Sequence, residues 1–196
     1  MELSGRFNAF NVVAAIVAVT GLGFDFQQVC AAASDLKPVP GRMERILMSG
    51  NRLAVVDYAH TPDALESALQ TLRGETQGRL WVVFGCGGDR DSGKRSLMGS
   101  VAARWADHIV VTSDNPRSEA PEKIIEEVIS GCGAEAEVVV DRAEAIRHAL
   151  ALAESGDTVL VAGKGHEDYQ EIAGVRSPFS DQQVLSAYQN LDEVRS

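Results

Sequence analysis

From residue 53 onward the chain alternates short β-rich runs with amphipathic stretches of helical period, and few folds satisfy that alternation. LAVVDY (53–58), LWVVFG (80–85), HIVVTS (108–113), EVVVD (137–141) and TVLVAG (158–163) read as strands. Helices are expected between them over 62–72, 96–105, 121–129 and 143–153, with Pro62 suited to a first helical position. Strands that alternate with helices argue for a parallel sheet covered on both faces. The expected class is α/β, a Rossmann-like, mostly parallel sheet with helices on both faces. QEIAGVRSPF (170–179) is expected to add a hairpin-like edge strand before a last helix over 181–188.

The first forty residues follow another pattern. Two helices, 8–20 and 25–33, are expected on either side of the Gly21-Leu22-Gly23 turn. LKPVPGRME (36–44) carries two prolines and a glycine and reads as a linker. The expected division is therefore a helical segment, 1–36, and an α/β domain, 37–196. Two short helices are too little core for an independent domain.

Such a sheet gathers its ligand at the carboxyl ends of its strands. Four polar loops fall there: DYAHTP (57–62), GCGGDRDSGKR (85–95), SDNPR (113–117) and GKGHED (163–168). The second contains Gly88, four residues, then Gly93 and Lys94, the skeleton of a phosphate-binding loop. A true one follows its lysine with Ser or Thr for magnesium. Here Arg95 follows, which cannot ligate a metal, and Asp89 and Asp91 place negative charge where an anion would sit. The loop suits a zwitterion better, with Arg90 offering a planar fork for a carboxylate. The plainer alternative is a solvated loop of internal salt bridges. In SDNPR, a helix-entry turn accounts for Asp114 and Pro116 but not for Arg117. There Asn115 can both donate and accept. In GKGHED, Gly163 and Gly165 permit close backbone approach, and Glu167 can receive an ammonium. His166 has no identifiable partner and is not assigned as a base. Asp57 and His60 end the first strand of the alternating region, where an acid commonly meets a ribose hydroxyl, although the glycine fingerprint of dinucleotide folds is missing.

Composition narrows the partners. The 28 acidic against 18 basic residues leave a net charge of −10, which argues against nucleic acid or an anionic membrane as the main partner while permitting a local basic pocket. The apolar run from Val12 to Val19 is too short to span a bilayer. Three cysteines, Cys30, Cys86 and Cys132, lack metal-ligand spacing, and a reduced, cytoplasmic protein is the simpler reading. No metal site and no confident catalytic residue is assigned.

Taken together, GRFNAFN, PGRME, VVDYAHTPDALE, VFGCGGDRDSGKR, SDNPR and AGKGHEDYQ resemble the C-terminal part of a Mur ligase, and specifically one of the diaminopimelate-adding type. The resemblance runs nearly end to end. It implies an ATP- and Mg2+-dependent, amide-forming enzyme of peptidoglycan synthesis that joins meso-diaminopimelate to UDP-N-acetylmuramoyl-L-alanyl-D-glutamate through an acyl phosphate. By the same resemblance Arg90, Asp114, Asn115, Pro116, Arg117, Gly163 and Glu167 would hold meso-diaminopimelate. Asn8, Asn11, Arg42 and Asp57 would serve ATP, although Asn8 also fits a helix cap. Relatives of this kind carry an N-terminal domain for the UDP-sugar and a central ATPase domain with a genuine phosphate loop. The chain is thus expected to be a piece of a longer protein, its first helices the tail of the central domain, and to be inactive alone. Two rivals stay open: a non-catalytic module that binds an amino acid or nucleotide, and a related ligase that adds another amino acid.

Overall fold

The sheet is built around two strands whose every residue is buried, β3 (Leu80–Phe84) and β6 (Thr158–Ala162). The computed structural model describes residues 6–133 and 136–195. Six strands pair in the order β1-β2-β6-β3-β4-β5, where β1 is Glu44–Met48, β2 Arg52–Asp57, β4 His108–Val111 and β5 Ala136–Val138. All neighbours are parallel except β1 and β2. Inserting β6 between β2 and β3 matches Val83 to Val161 and Val56 to Val161 across the sheet, so the ends of β2, β6 and β3 stand side by side.

Each covering helix has a legible local cause. In α3 (Pro62–Glu75) the Thr61 side chain accepts from the Ala64 N–H, Pro62 opens the first turn, and Leu65, Ala68, Leu69 and Leu72 form the buried stripe. α5 (Pro121–Cys132) likewise starts on a proline and buries Ile124, Ile125, Val128 and Cys132. Asp141 caps α6 (Arg142–Leu152) by accepting from the Glu144 N–H. With α7 (Asp181–Arg195), α6 closes over a core that includes Val56, Val83, Val110, Ile146, Leu150 and Leu185. α4 is Gly93–Trp105.

Two compact units divide the chain, Met1–Val39 and Pro40–Ser196. The first holds α1 (Arg6–Gly21) and α2 (Phe26–Ser34), the latter capped by Asp25. Gly5, the first residue of GRFNAFN, lies outside the described residues along with residues 1–4. Among the described residues no helix is long and apolar enough to cross a membrane.

Three expectations are corrected. Gly41–Glu44 is not loose linker: Met43 is buried, its N–H donates to Asp57 Oδ2 at 2.8 Å, and Gly41 donates to Glu44 Oε2 at 2.7 Å. The unforeseen strand β1 follows, half-exposed at the sheet edge. The hairpin β7 (Tyr169–Ile172) and β8 (Val175–Pro178) forms a separate two-stranded sheet instead of an edge strand. Finally, α7 continues well past residue 188.

Candidate functional site

Because β3 lies between β6 and β4, three of the polar loops are neighbours, and their glycines are explained by that contact. A Cβ on Gly85 would stand 2.1 Å from the Thr112 carbonyl oxygen, and one on Gly88 would stand 2.0 Å from that of Pro116. The Gly88 N–H donates to the Asn115 carbonyl at 2.9 Å. Close backbone packing, and not an anion, is what these glycines serve. Arg95, where a phosphate loop would place its hydroxyl, is buried and donates to Glu119 Oε2 and Oε1 at 3.0 and 2.8 Å and to Glu127 at 2.9 Å. The Arg95 hydrogen bonds hold the Glu119 carboxyl down at about 2. Asp89 accepts from the Ser118 hydroxyl at 2.6 Å, and this bond lowers its own pKa. These two charges of the loop are thus tied to partners outside it: Asp89 accepts from Ser118, and buried Arg95 pairs with Glu119 and Glu127. Arg90 stands apart: it is exposed, and among the described residues its guanidinium hydrogen-bonds only the Asp89 carbonyl, at 3.5 Å.

The loop after β4 is held from both sides. Arg117 adopts φ 51°, a left-handed conformation that disfavours a non-glycine residue. The β7–β8 hairpin sustains it: the Arg117 N–H donates to the Glu171 carbonyl at 3.0 Å and the Ala173 N–H to the Arg117 carbonyl at 2.7 Å. The Arg117 Nη1 donates to the carbonyls of Gly88 and Asn115 at 2.8 and 3.4 Å, and among the described residues no hydrogen bond engages the Nε and Nη2 edge. Asp114, Asn115 and Pro116 are buried. The Gln170 amide donates to the Asp114 carbonyl at 2.9 Å, a second tie to the hairpin.

Beyond β6 the chain turns through Gly163 at φ 116° and Gly165 at φ 53°. A Cβ on Gly163 would approach Asp114 Oδ2 to 2.7 Å, so the two loops meet there. Glu167 accepts from Asn115 Nδ2 at 2.8 Å. Lys164, which sequence reasoning passed over in favour of the flanking glycines and Glu167, is fully buried between them. Its setting is also ionic: Arg142 and Asp181 lie beneath this end of the sheet, buried and paired at 2.8 and 2.9 Å, and Arg142 also donates to the Ala162 carbonyl at 3.0 Å. A lysine directly after an apolar strand and flanked by glycines is the signal that could have marked it. Gln170 and Glu171 carried no comparable signal, since the hairpin's position is set by tertiary contacts.

The structure thus gathers Arg90, Asp114, Asn115, Pro116, Arg117, Gly163 and Glu167 at the carboxyl ends of β3, β4 and β6. The Asn115 side chain both donates and accepts, but to partners within the protein: its oxygen accepts from Lys164 and from the Glu171 N–H, both at 2.9 Å, while its Nδ2 donates to Glu167. With one amide N–H on Glu167, the second is what this side chain can offer a ligand among the described residues.

Asp57 and Arg42 form a second cluster at the end of β2. Arg42 lies 4.4 Å over the Tyr58 ring, and Tyr58 also contacts the rings of His60 and His166 at 4.5 and 5.2 Å. Burial raises the Asp57 pKa against the hydrogen bonds of nearby backbone N–H groups and the Arg42 charge. A cation, aromatic faces and an acid suit a nucleotide's phosphate, base and ribose respectively. Asn8 and Asn11 lie on α1, in the other compact unit. Among the described residues no three His, Cys, Asp or Glu side chains gather as a metal site.

This fold, with charged loops converging on one sheet end, defines the class. Residues 41–165 match the family model described as "Mur ligase, glutamate ligase domain", and the chain belongs to the Mur ligase family. It is 52% identical over 185 residues to the UDP-N-acetylmuramoyl-L-alanyl-D-glutamate--2,6-diaminopimelate ligase of Acidovorax sp. (strain JS42), covering 92% of this chain and 37% of that protein. The ligase of the same name from Chromobacterium violaceum is likewise 52% identical over 185 residues, with 93% and 38% covered. A solved structure of a ligase of that name superposes with a TM-score of 0.76 at 45% identity, over 97% of this chain and 40% of its own. The chain spans under two fifths of the length of these curated relatives.

Proposed function

We propose that the chain is the amino-acid-binding C-terminal domain of an ATP-dependent ligase that adds meso-diaminopimelate to UDP-N-acetylmuramoyl-L-alanyl-D-glutamate in peptidoglycan synthesis, in the cytoplasm. The observation that carries this reading is the buried Asn115, whose side-chain amide donates to Glu167 while its backbone carbonyl accepts from Arg117. One residue thereby couples a carboxylate receptor to an ammonium receptor, which is what a free amino-acid centre requires. Arg90 and the open edge of Arg117 hold substrate carboxylates, Glu167 an ammonium, and Gly163 lets the loop after β6 close against Asp114.

In the proposed reaction ATP supplies activation of the dipeptide's terminal carboxylate as an acyl phosphate. This domain's residues position the attacking amine: holding both carboxylates and the ammonium of the far centre leaves the near amine to meet the acyl carbon in a fixed orientation. Asp57 and Arg42 serve the nucleotide. The arrangement does not fit magnesium or a phosphate cradle here, so no metal-dependent step is routed through these residues, and the chain alone is inactive. The helical pair 1–36 is the tail of a central ATPase domain, which accounts for its exposed Phe10, Val17, Phe24 and Phe26.

Calorimetric titration of this chain with meso-diaminopimelate and with L-lysine tests the reading. L-lysine has no distal carboxylate for Arg117, so a preference of about 100-fold or more for meso-diaminopimelate is expected. Arg117→Ala should abolish that preference. Equal binding of the two ligands by the unaltered chain refutes the reading.

A further inference from the structure

Lys164 offers three N–H groups and no acceptor, and all three are accounted for. They meet the Tyr169 carbonyl at 2.8 Å, Asn115 Oδ1 at 2.9 Å and Glu167 Oε2 at 3.5 Å. The three contacts come from three segments: the first strand of the hairpin, the loop after β4 and the loop after β6. The Tyr169 and Phe179 rings stand 5.7 and 5.8 Å from the ammonium and close the remaining sides.

The consequence lies in Asn115. Its Oδ1 is faced by two donors, the Lys164 ammonium and the Glu171 N–H, while its Nδ2 faces the Glu167 carboxylate. Turning the amide over would set NH2 against two donors and a carbonyl oxygen against a carboxylate, every contact repulsive. The backbone N–H of Glu171 alone opposes that flip on one side; the full charge of Lys164 makes the opposition strong. Burial pulls the lysine toward its neutral form, as does the charge of Arg142, while Asp114, Glu167 and Asp181 hold it charged.

We propose that Lys164 is a positioning residue for amino-acid selection: its buried ammonium locks the Asn115 amide as a donor toward the pocket and steadies the Glu167 carboxylate, so that the site reads a carboxylate and an ammonium in fixed places. This inference rests on the amino-acid pocket proposed above. A lysine that only fastened the hairpin would leave selection untouched once the hairpin was in place.

Nuclear magnetic resonance and calorimetry on the whole 196-residue chain separate these roles. In the unaltered protein, the Lys164 Nζ protons should exchange slowly with water and show contacts to the Asn115 side chain. Lys164→Met keeps the length and removes the donors. It should move the Asn115 side-chain amide resonances, weaken meso-diaminopimelate binding at least about tenfold, the scale of one charge-assisted hydrogen bond, and change L-lysine binding much less. Unchanged Asn115 resonances in Lys164→Met, or unchanged selectivity in a variant that binds, overturns the inference. If Lys164→Met does not fold, solvent-rate exchange of the Lys164 protons in the unaltered chain overturns it, and slow exchange with the Asn115 contacts supports it. An unaltered chain that ignores meso-diaminopimelate while Lys164→Met still moves the Asn115 resonances overturns the ligand reading and supports the positioning role.

Discussion

Two loops in this protein pair glycines with a lysine at the end of a buried parallel strand, and they use the same residues for opposite ends. In the loop after β3, Lys94 is half-buried and donates to the His60 carbonyl at 2.7 Å, at the margin of the site. In the loop after β6, Lys164 has no exposed surface and binds three segments together. The glycines differ too. Gly85 and Gly88 admit a neighbouring backbone, whereas Gly163 and Gly165 supply positive φ, and Gly165 also admits the backbone of Gly41 and Tyr58. A Gly-Lys pattern is therefore no guide to phosphate binding until the neighbours of its glycines are known.

The contrast predicts unequal sensitivity. The loop after β6 stands on the Arg142–Asp181 pair, both of whose side chains are fully buried. Arg142→Ala leaves Asp181 as an uncompensated buried acid and should cost about 3–5 kcal/mol in urea unfolding. A smaller loss would mean that water or a rearranged partner reaches Asp181. Next in size, Gly88→Ala must push back the Pro116 carbonyl and should cost about 1–3 kcal/mol. Gly93→Ala, whose nearest obstacle is the Asp91 side chain at 3.2 Å, should cost far less in the same assay. Equal costs would show that the loop after β3 is not packed against Pro116 as described.

The ionic staple around Glu119 gives the comparison a pH dependence. Arg95 lowers the Glu119 carboxyl from its ordinary 4.5 to about 2. A depressed acid contributes its stability above its unfolded value and loses it as pH falls toward the folded one. Thermal stability should therefore fall between pH 4.5 and about 2, and Glu119→Gln should flatten part of that slope. An unchanged slope in the variant would remove Glu119 from the account. Smallest of all, Lys94→Ala should alter stability by under about 0.5 kcal/mol. A larger change would give Lys94 a structural weight close to that of Lys164.

Legibility in the sequence followed locality. The helices α3 and α5 announce themselves through a proline at the start and a buried stripe at helical spacing, and both were expected within a few residues of their true ends. β1 was hidden because ERILM follows a Pro- and Gly-rich stretch and alternates burial only as half of an edge pair with β2. The hairpin was expected only as an edge strand, and its attachment was not visible: Arg117 pairs with Ile172 by a bridge between residues far apart in sequence. Arg117 and Glu167 stood out as charges in turn-forming loops. Lys164 did not, since exposed and buried lysines look alike along a chain.

Local periodicity and turn chemistry by themselves determined the α/β alternation and placed the polar loops at the carboxyl ends of the strands. Only tertiary structure decided that β6 inserts between β2 and β3, which sets Gly163 against Asp114. The same packing decided that Asn115 serves as a donor and that Lys164 is buried. The physical reason is that strand order and amide orientation depend on partners some fifty residues away, for example Asn115 with Lys164 at a separation of 49, and no local pattern encodes which partner arrives.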